Sequence, residues 1–212
     1  MRYAEPMSRG RFYVIEGADG VGSTTQCQRL VDGLQAAGRR VHLTAEPSKG
    51  PIGLLIRGML GGDHPRAAIH RELALLFAAD RLDHVGREIE PLLASGVDVV
   101  SDRYVLSSLV YQSLDLPYEW VRELNKFAPA ADATVLVTLP LDVAWARLQA
   151  RFAAGDPREV FDVKPTQSQV HAEYERQARR TCAVIVDGRG TIDEVAGRVR
   201  AALSGTGHWP AA

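Results

Sequence analysis

Nine residues, Gly17 to Thr25 (GADGVGSTT), have the spacing of a loop that wraps phosphate, G-x-x-x-x-G-K-[ST], except at one position. Ser23 stands where the lysine belongs. Gly17, Gly20 and Gly22 let the backbone turn inward, so that the N–H groups from Ala18 to Thr25 face one anion. The first turn of a following helix would add its positive dipole end. Asp19 and Val21 complete the loop, and Thr24 holds the hydroxyl position that ligates Mg²⁺. A strand, FYVIE, enters this stretch and a helix leaves it, which is the context such a loop requires. The bland alternative is a glycine-rich strand–helix turn that holds nothing.

Three further stretches carry candidate chemistry. VVSDRY (99–104) ends an apolar strand in a carboxylate and a guanidinium. Asp102 could hold Mg²⁺ directly or through water, and Arg103 could clamp a second phosphoryl group; alone, the pair could be a strand-end ion pair. LLFAADRLDH (75–84) sets Phe77 and Arg81 four apart on a helix, one to stack on a base and one to bond its edge; Phe77 could equally be core. SSLVYQ (107–112) does the same with Ser108 and Gln112, whose amide offers a donor and an acceptor to a pyrimidine; the alternative is a polar helix face.

These groups need elements to place them. Apolar, β-branched runs at 12–16, 39–46, 97–102, 133–139 and 182–187 read as five strands. Helix-period segments fill the gaps: 24–38, 51–60, 66–94, 105–114, 117–127, 141–151, 165–180 and 191–204. Such alternation predicts an α/β fold, a five-stranded parallel sheet with helices on both faces. Ligands bind such sheets at the carboxyl ends of the strands. That rim collects Gly17–Thr24, Glu46–Gly53, Asp102–Tyr104 and Asp187–Gly190. We expect one domain over 1–212, with the tail 205–212 frayed.

The composition is that of an ordinary globular chain, 46% hydrophobic and 24% charged, with a net charge of -1. No cationic field is left for nucleic acid or an anionic membrane, and no apolar run approaches the roughly 20 residues of a span. Cys27 and Cys182 stand far apart without a paired motif, as expected of reduced thiols in a cytoplasmic protein. Lys49, Lys126 and Lys164 are the only lysines, and arginine suits bidentate phosphate contacts.

Taken together, FYVIEGADGVGSTTQ, AEPSKGPIG, LLFAADRLDH, SDRYVLSSLVYQ and VIVDGRGTIDEV make the chain resemble the thymidylate kinase family over nearly its whole length. The resemblance implies a P-loop nucleoside monophosphate kinase-like fold with a lid at about 147–162. It implies Mg²⁺-dependent phosphoryl transfer from ATP to dTMP, a cytoplasmic enzyme and a homodimer, with no nucleic-acid or membrane partner. Phe77 would stack on thymine; Arg81 and Gln112 would contact its edge, with Ser107 and Ser108 close by. Arg57 and Arg103 would hold the dTMP phosphate, Asp19 would lie between the 3′-hydroxyl and the reacting phosphates, and Tyr111 would lie under the deoxyribose. Glu46 and Pro47 would shape the acceptor floor. Arg147, Arg151 and Arg158 would close over ATP.

Three departures stand out: Ser23 for the lysine, Ala45 where the family usually has arginine, and Ser48–Gly50 in place of a glycine-rich triplet, which brings in Lys49. An ammonium about 4 Å from a phosphate oxygen is worth up to about 4 kcal/mol at an effective dielectric near 20, roughly a thousandfold in rate. Either another cation takes its place, with Arg151 and Arg158 then Lys49 and Arg147 as candidates, or the chain binds nucleotide with little transferase activity.

Overall fold

The computed structural model describes residues 8–61 and 65–210. Its five strands are β1 (Phe12–Glu16), β2 (Val41–Ala45), β3 (Asp98–Asp102), β4 (Ala133–Thr138) and β5 (Val184–Asp187). They form one all-parallel sheet in the order β2-β3-β1-β4-β5. β1 is buried at every residue because it is central and covered on both faces. β2, an edge strand, is only half-buried, which the expectation of a sheet covered throughout did not anticipate. The register sets Ile15 and Ala45 both against Asp102, so three strands deliver their carboxyl ends to one rim.

The helices are α1 (Ser23–Ala36), α2 (Pro51–Leu60), α3 (Arg66–His84), α4 (Glu90–Ala94), α5 (Val105–Tyr111), α6 (Tyr118–Leu124), α7 (Leu141–Ala153), α8 (Lys164–Ala178) and α9 (Ile192–Gly205). On one face Leu30, Val31 and Leu34 of α1 pack with Val195, Val199 and Leu203 of α9 against β1 and β4. On the other, Phe12, Val14 and Val99 meet Val85, Ile89, Leu93 and Tyr104. No helix among the described residues is long and apolar enough to cross a membrane.

The segment expected as one helix over 66–94 is continuous but not uniform. A π-helical turn, Val85–Ile89, joins α3 to α4, and the Glu90 N–H reaches five residues back to Val85. Pro91 has no N–H to give, so the ladder must adjust where it enters.

The tail also differs from expectation. Residues 205–210 are anchored; 211 and 212 lie outside the described residues. The Tyr13 hydroxyl donates to the His208 carbonyl at 2.7 Å, and Arg11 donates to the Gly207 carbonyl. The Trp209 ring lies so close to Gly33 that a Cβ there would come within 3.0 Å of it, and Arg200 stacks on the ring at 5.3 Å. One aromatic side chain thus replaces fraying with packing. Trp209→Ala should lower the unfolding free energy by about 1–2 kcal/mol in urea melts, less than a core Trp because the ring is only partly buried. An unchanged midpoint would mean the tail contributes nothing.

Candidate active site

The loop between β1 and α1 is shaped by glycines where side chains could not go. Gly20 (φ 82°) lies so near α7 that a Cβ would stand 2.4 Å from the Ala144 carbonyl oxygen. Gly22 (φ 95°) caps α1 in a left-handed conformation with no side-chain cap bond, so the first-turn N–H groups remain available to an anion. A cavity of about 620 Å³ opens over Asp19–Gln26. Arg147 and Arg151 of α7 border it, as do Gly188, Gly190 and Thr191 beyond β5. The Arg147 guanidinium reaches the Val21 carbonyl at 3.4 Å. The other two candidate cations lie elsewhere: Arg158 stacks on Phe152 at 4.6 Å, and Lys49 is exposed on the loop before α2. Arg151 pairs with Asp156 at the surface, at 2.7 Å.

At the floor of this cavity the Thr24 hydroxyl donates to one oxygen of Asp102, while the other, Oδ1, is buried with no partner. One hydroxyl and one carboxylate are hard oxygen donors that suit Mg²⁺, an ion that usually keeps waters and phosphates for its remaining positions. Among the described residues no group of three or more His, Cys, Asp or Glu could hold a metal, so the fit is to a metal carried by phosphates.

A second cavity is lined by Glu46, Pro47, Phe77, Arg81, Ser107, Ser108, Tyr111 and Gln112. The half-buried Phe77 borders it, and Gln112 Oε1 is buried without a partner, as an amide would be before a ligand donates to it. Arg81 is placed differently from a free recognition group. Its guanidinium is buried and donates to Glu46 Oε2, to Asn125 Oδ1, to the Tyr104 carbonyl and to Ser108 Oγ. Those bonds leave little of the fork for a base edge. Arg57 lies outside the lining; it donates to the Pro47 carbonyl and so steadies the loop.

Asp19 and Arg103 line both cavities. Arg103 has φ 74°, a left-handed backbone that a non-glycine residue takes at a cost on the order of 1 kcal/mol or more. The Arg103 N–H bonds to the Ile15 carbonyl, and its own carbonyl accepts from Ser101 Oγ. The turn aims the guanidinium at Asp19 Oδ1, 2.5 Å away, with the Tyr111 ring beneath it at 5.2 Å. Asp19 Oδ2 accepts from the Tyr111 hydroxyl and from Gln167 Nε2, each at 2.8 Å.

Several residues of this network are not legible as site residues in the sequence. Glu16 reads there as the end of an apolar strand. It is fully buried and accepts from the N–H groups of Tyr104 and Ser107, from Ser107 Oγ at 2.6 Å and from the Tyr174 hydroxyl. A carboxylate ending a central strand beside a phosphate loop is the signal that marks it. Asp80, part of FAADR but given no role by its spacing, takes the N–H and hydroxyl of Ser48 at 2.7 and 2.6 Å and pins the loop before α2. Gln167 and Tyr174 lie on α8 in no motif, so only the fold could reveal them.

The chain matches the family model for thymidylate kinase over residues 15–199. It is 38% identical over 193 residues to the probable thymidylate kinase of Pyrococcus abyssi, covering 88% of this chain and 92% of that one. The probable thymidylate kinase of Thermococcus gammatolerans is 37% identical over 195 residues, with 88% and 92% covered. That of Methanococcus vannielii is 37% identical over 174 residues, with 82% and 80% covered.

The carboxyl of Glu16 has a measurable consequence. Burial pushes its pKa up from 4.5 to about 7, against the pull of the Ser107 hydroxyl and the Arg103 charge. Between those values the folded state holds a proton that the unfolded state has released, so stability falls as pH rises. Relative to Glu16→Gln, the wild type should lose on the order of 3 kcal/mol from about pH 4.5 to about pH 7. Parallel urea-stability curves would show that the carboxyl titrates normally.

Proposed function

The chain belongs to the thymidylate kinase family, whose members are nucleoside monophosphate kinases, and on that premise we propose that it transfers a phosphoryl group from ATP to dTMP with Mg²⁺, as a cytoplasmic homodimer, using arginines of α7 in place of the lysine absent at Ser23. The observation that carries this reading is that two cavities share Asp19 and Arg103 as their common wall. One has the backbone and dipole of a phosphate site; the other has a half-buried aromatic ring and an orphaned amide oxygen suited to a pyrimidine. Phosphoryl transfer needs its two substrates in line and their charge neutralised, and little else from the protein.

In this reading the first turn of α1 and the loop Gly17–Gly22 hold the donor phosphates. Arg103 turns its guanidinium to the acceptor phosphate, and Asp19 keeps that guanidinium in place while meeting the sugar hydroxyl. Phe77 stacks on the base, Gln112 Oε1 accepts from its imide N–H, and Tyr111 crowds the position of a 2′-hydroxyl. Magnesium, bound to phosphate oxygens beside Thr24 and Asp102, supplies neutralising charge. Arg147 and Arg151 supply the rest, since their helix borders the phosphate cavity whereas Arg158 and Lys49 do not. The apolar residues Leu54, Leu55, Leu75 and Leu82, exposed on α2 and α3, support the homodimer.

A coupled assay with ATP, Mg²⁺ and each monophosphate tests the reading. dTMP and dUMP should be phosphorylated well ahead of UMP, CMP and AMP, and EDTA should abolish turnover. AMP turned over as fast as dTMP would sink the assignment. Arg147→Ala or Arg151→Ala should lower kcat by up to about a thousandfold with dTMP binding nearly unchanged. Ser23→Lys should recover part of that loss in the mutant and gain little in the wild type. If Ser23→Lys instead raises the wild-type rate by orders of magnitude and neither arginine matters, the compensation is wrong.

A further inference from the structure

Behind the acceptor cavity a chain of polar groups runs from its floor to the surface. Glu46, which takes Arg81 Nε at 2.8 Å on one oxygen, faces His84 Nδ1 at 3.3 Å with the other. On its far side His84 Nε2 meets Thr44 Oγ1 at 2.7 Å and Glu88 Oε1 at 3.6 Å. Glu88 Oε1 in turn lies 2.8 Å from His42 Nε2. His84 is buried, while His42 and Glu88 are about 40% exposed. Glu88 belongs to the π-helical turn, whose additional residue rotates the next stretch of helix by about 100° relative to an α-helix. Such turns are frequent at functional sites, and this one sets a surface carboxylate beside a buried imidazole.

We propose that His84 is a positioning residue for the acceptor site: protonated, it holds Glu46, and through Glu46 the Arg81 fork, in the arrangement that binds the nucleoside. The inference rests on reading that cavity as the dTMP site. The geometry favours the charged ring: Glu46 is within hydrogen-bond reach of Nδ1, and on the other side Glu88, 3.6 Å from Nε2, adds a second negative charge beyond the Thr44 hydroxyl that the nitrogen meets. The charged groups around the ring are Glu46 from the loop after β2, Glu88 from the π turn, and Asp80 and Arg81 from α3, with His42 of β2 beyond Glu88. Burial alone would lower the His84 pKa, but the Glu46 hydrogen bond and the charges of Glu46, Glu88 and Asp80 together raise it above 6.5. The proton is therefore held to higher pH than on a free imidazole and lost as pH rises through the raised value. Once it is lost, Glu46 leans on Arg81 alone, and the fork that also holds Ser108 and the Tyr104 carbonyl is pulled unevenly.

Thymidine is the probe, because it has no phosphate to titrate over the same range. Its Kd is measured by calorimetry from about pH 6 to pH 9, which brackets the ordinary imidazole value of about 6.5. The wild type should bind about three- to tenfold more weakly at the alkaline end, the equivalent of half to one pKa unit of coupling. Glu88→Gln leaves the buried ring in place and should move the midpoint down by about half a unit to one unit. His84→Gln should bind weakly and without this pH dependence, raising the dTMP KM more than it lowers kcat. Glu16, which also titrates near neutrality, touches neither Glu88 nor His84, and His42→Gln, which removes the other imidazole on Glu88, should leave the wild-type pH dependence in place; its loss in His42→Gln would overturn the assignment to His84. A flat wild-type profile, or a Glu88→Gln profile that overlays the wild type, overturns the proposal even if His84→Gln fails to fold. If neither thymidine nor dTMP binds at any pH, the reading of the cavity itself falls, a result distinct from normal binding that ignores pH.

Discussion

The ion pair between Arg103 and Asp19 is the constraint around which the site is built. Both groups are largely withdrawn from water, with about a fifth and a quarter of their side chains exposed. A partly buried charge without a partner is costly, so each group needs the other. The pair also joins two pieces of chain that only the sheet register brings together: the loop after β1 and the turn after β3, with Ile15 opposite Asp102. The left-handed backbone of Arg103 is tolerable because it is fixed from both sides, by the Ile15 carbonyl and Ser101 Oγ. Glu16 beneath takes the backbone N–H groups of Tyr104 and Ser107 and so satisfies two donors of the chain that leaves the turn.

The same loop fixes where the arginines of α7 stand. Gly20 touches the Ala144 carbonyl, and its missing side chain lets α7 approach the phosphate loop. Ala144, Arg147, Leu148 and Arg151 share one face of that helix at helical spacing. Ala144 and Leu148 are buried in the contact, and the two arginines border the phosphate cavity from the same face. Arg147 and Arg151 are thus positioned by the loop's own packing, not by the identity of residue 23. Ser23, small and buried, leaves the first turn of α1 undisturbed.

Much of this was legible in the sequence, for reasons that can be named. The strands announced themselves because a parallel sheet buried on both faces demands unbroken apolar runs, and glycine spacing marked the loop because only glycine takes φ near +90° beside a helix. The structure brings Phe77, Arg103, Tyr111 and Gln112, from three of the stretches singled out in the sequence, to the lining of two adjoining cavities. Single side chains were less legible. Arg81 sits four residues from Phe77 and lines the same cavity, but Glu46, 35 residues away in sequence, also engages its fork. Nothing local in the chain reports a partner that arrives through folding. The tail is a second case: its sequence is rich in small residues, but Trp209 meets Gly33 on α1.

Gln167 shows how far such long-range placement reaches. Its Nε2 donates to Asp19 at 2.8 Å and lies 3.2 Å from the Phe161 carbonyl, so a single amide touches both the phosphate loop and the segment after α7. Phe161 sits edge-on to Tyr111 at 5.1 Å, and the Tyr111 hydroxyl reaches the same Asp19 oxygen. Asp19 therefore takes donors from three elements: Arg103 after β3, Tyr111 of α5 and Gln167 of α8. A carboxylate so fully engaged cannot shift without loosening at least one of them, because each donor would leave a partly buried polar group unpaired. Movement of the 154–163 segment that carried Phe161 away would remove its carbonyl from Gln167 and its ring from Tyr111. The two cavities share this aspartate, so the 154–163 segment, the loop after β1 and the wall of the second cavity form one coupled arrangement.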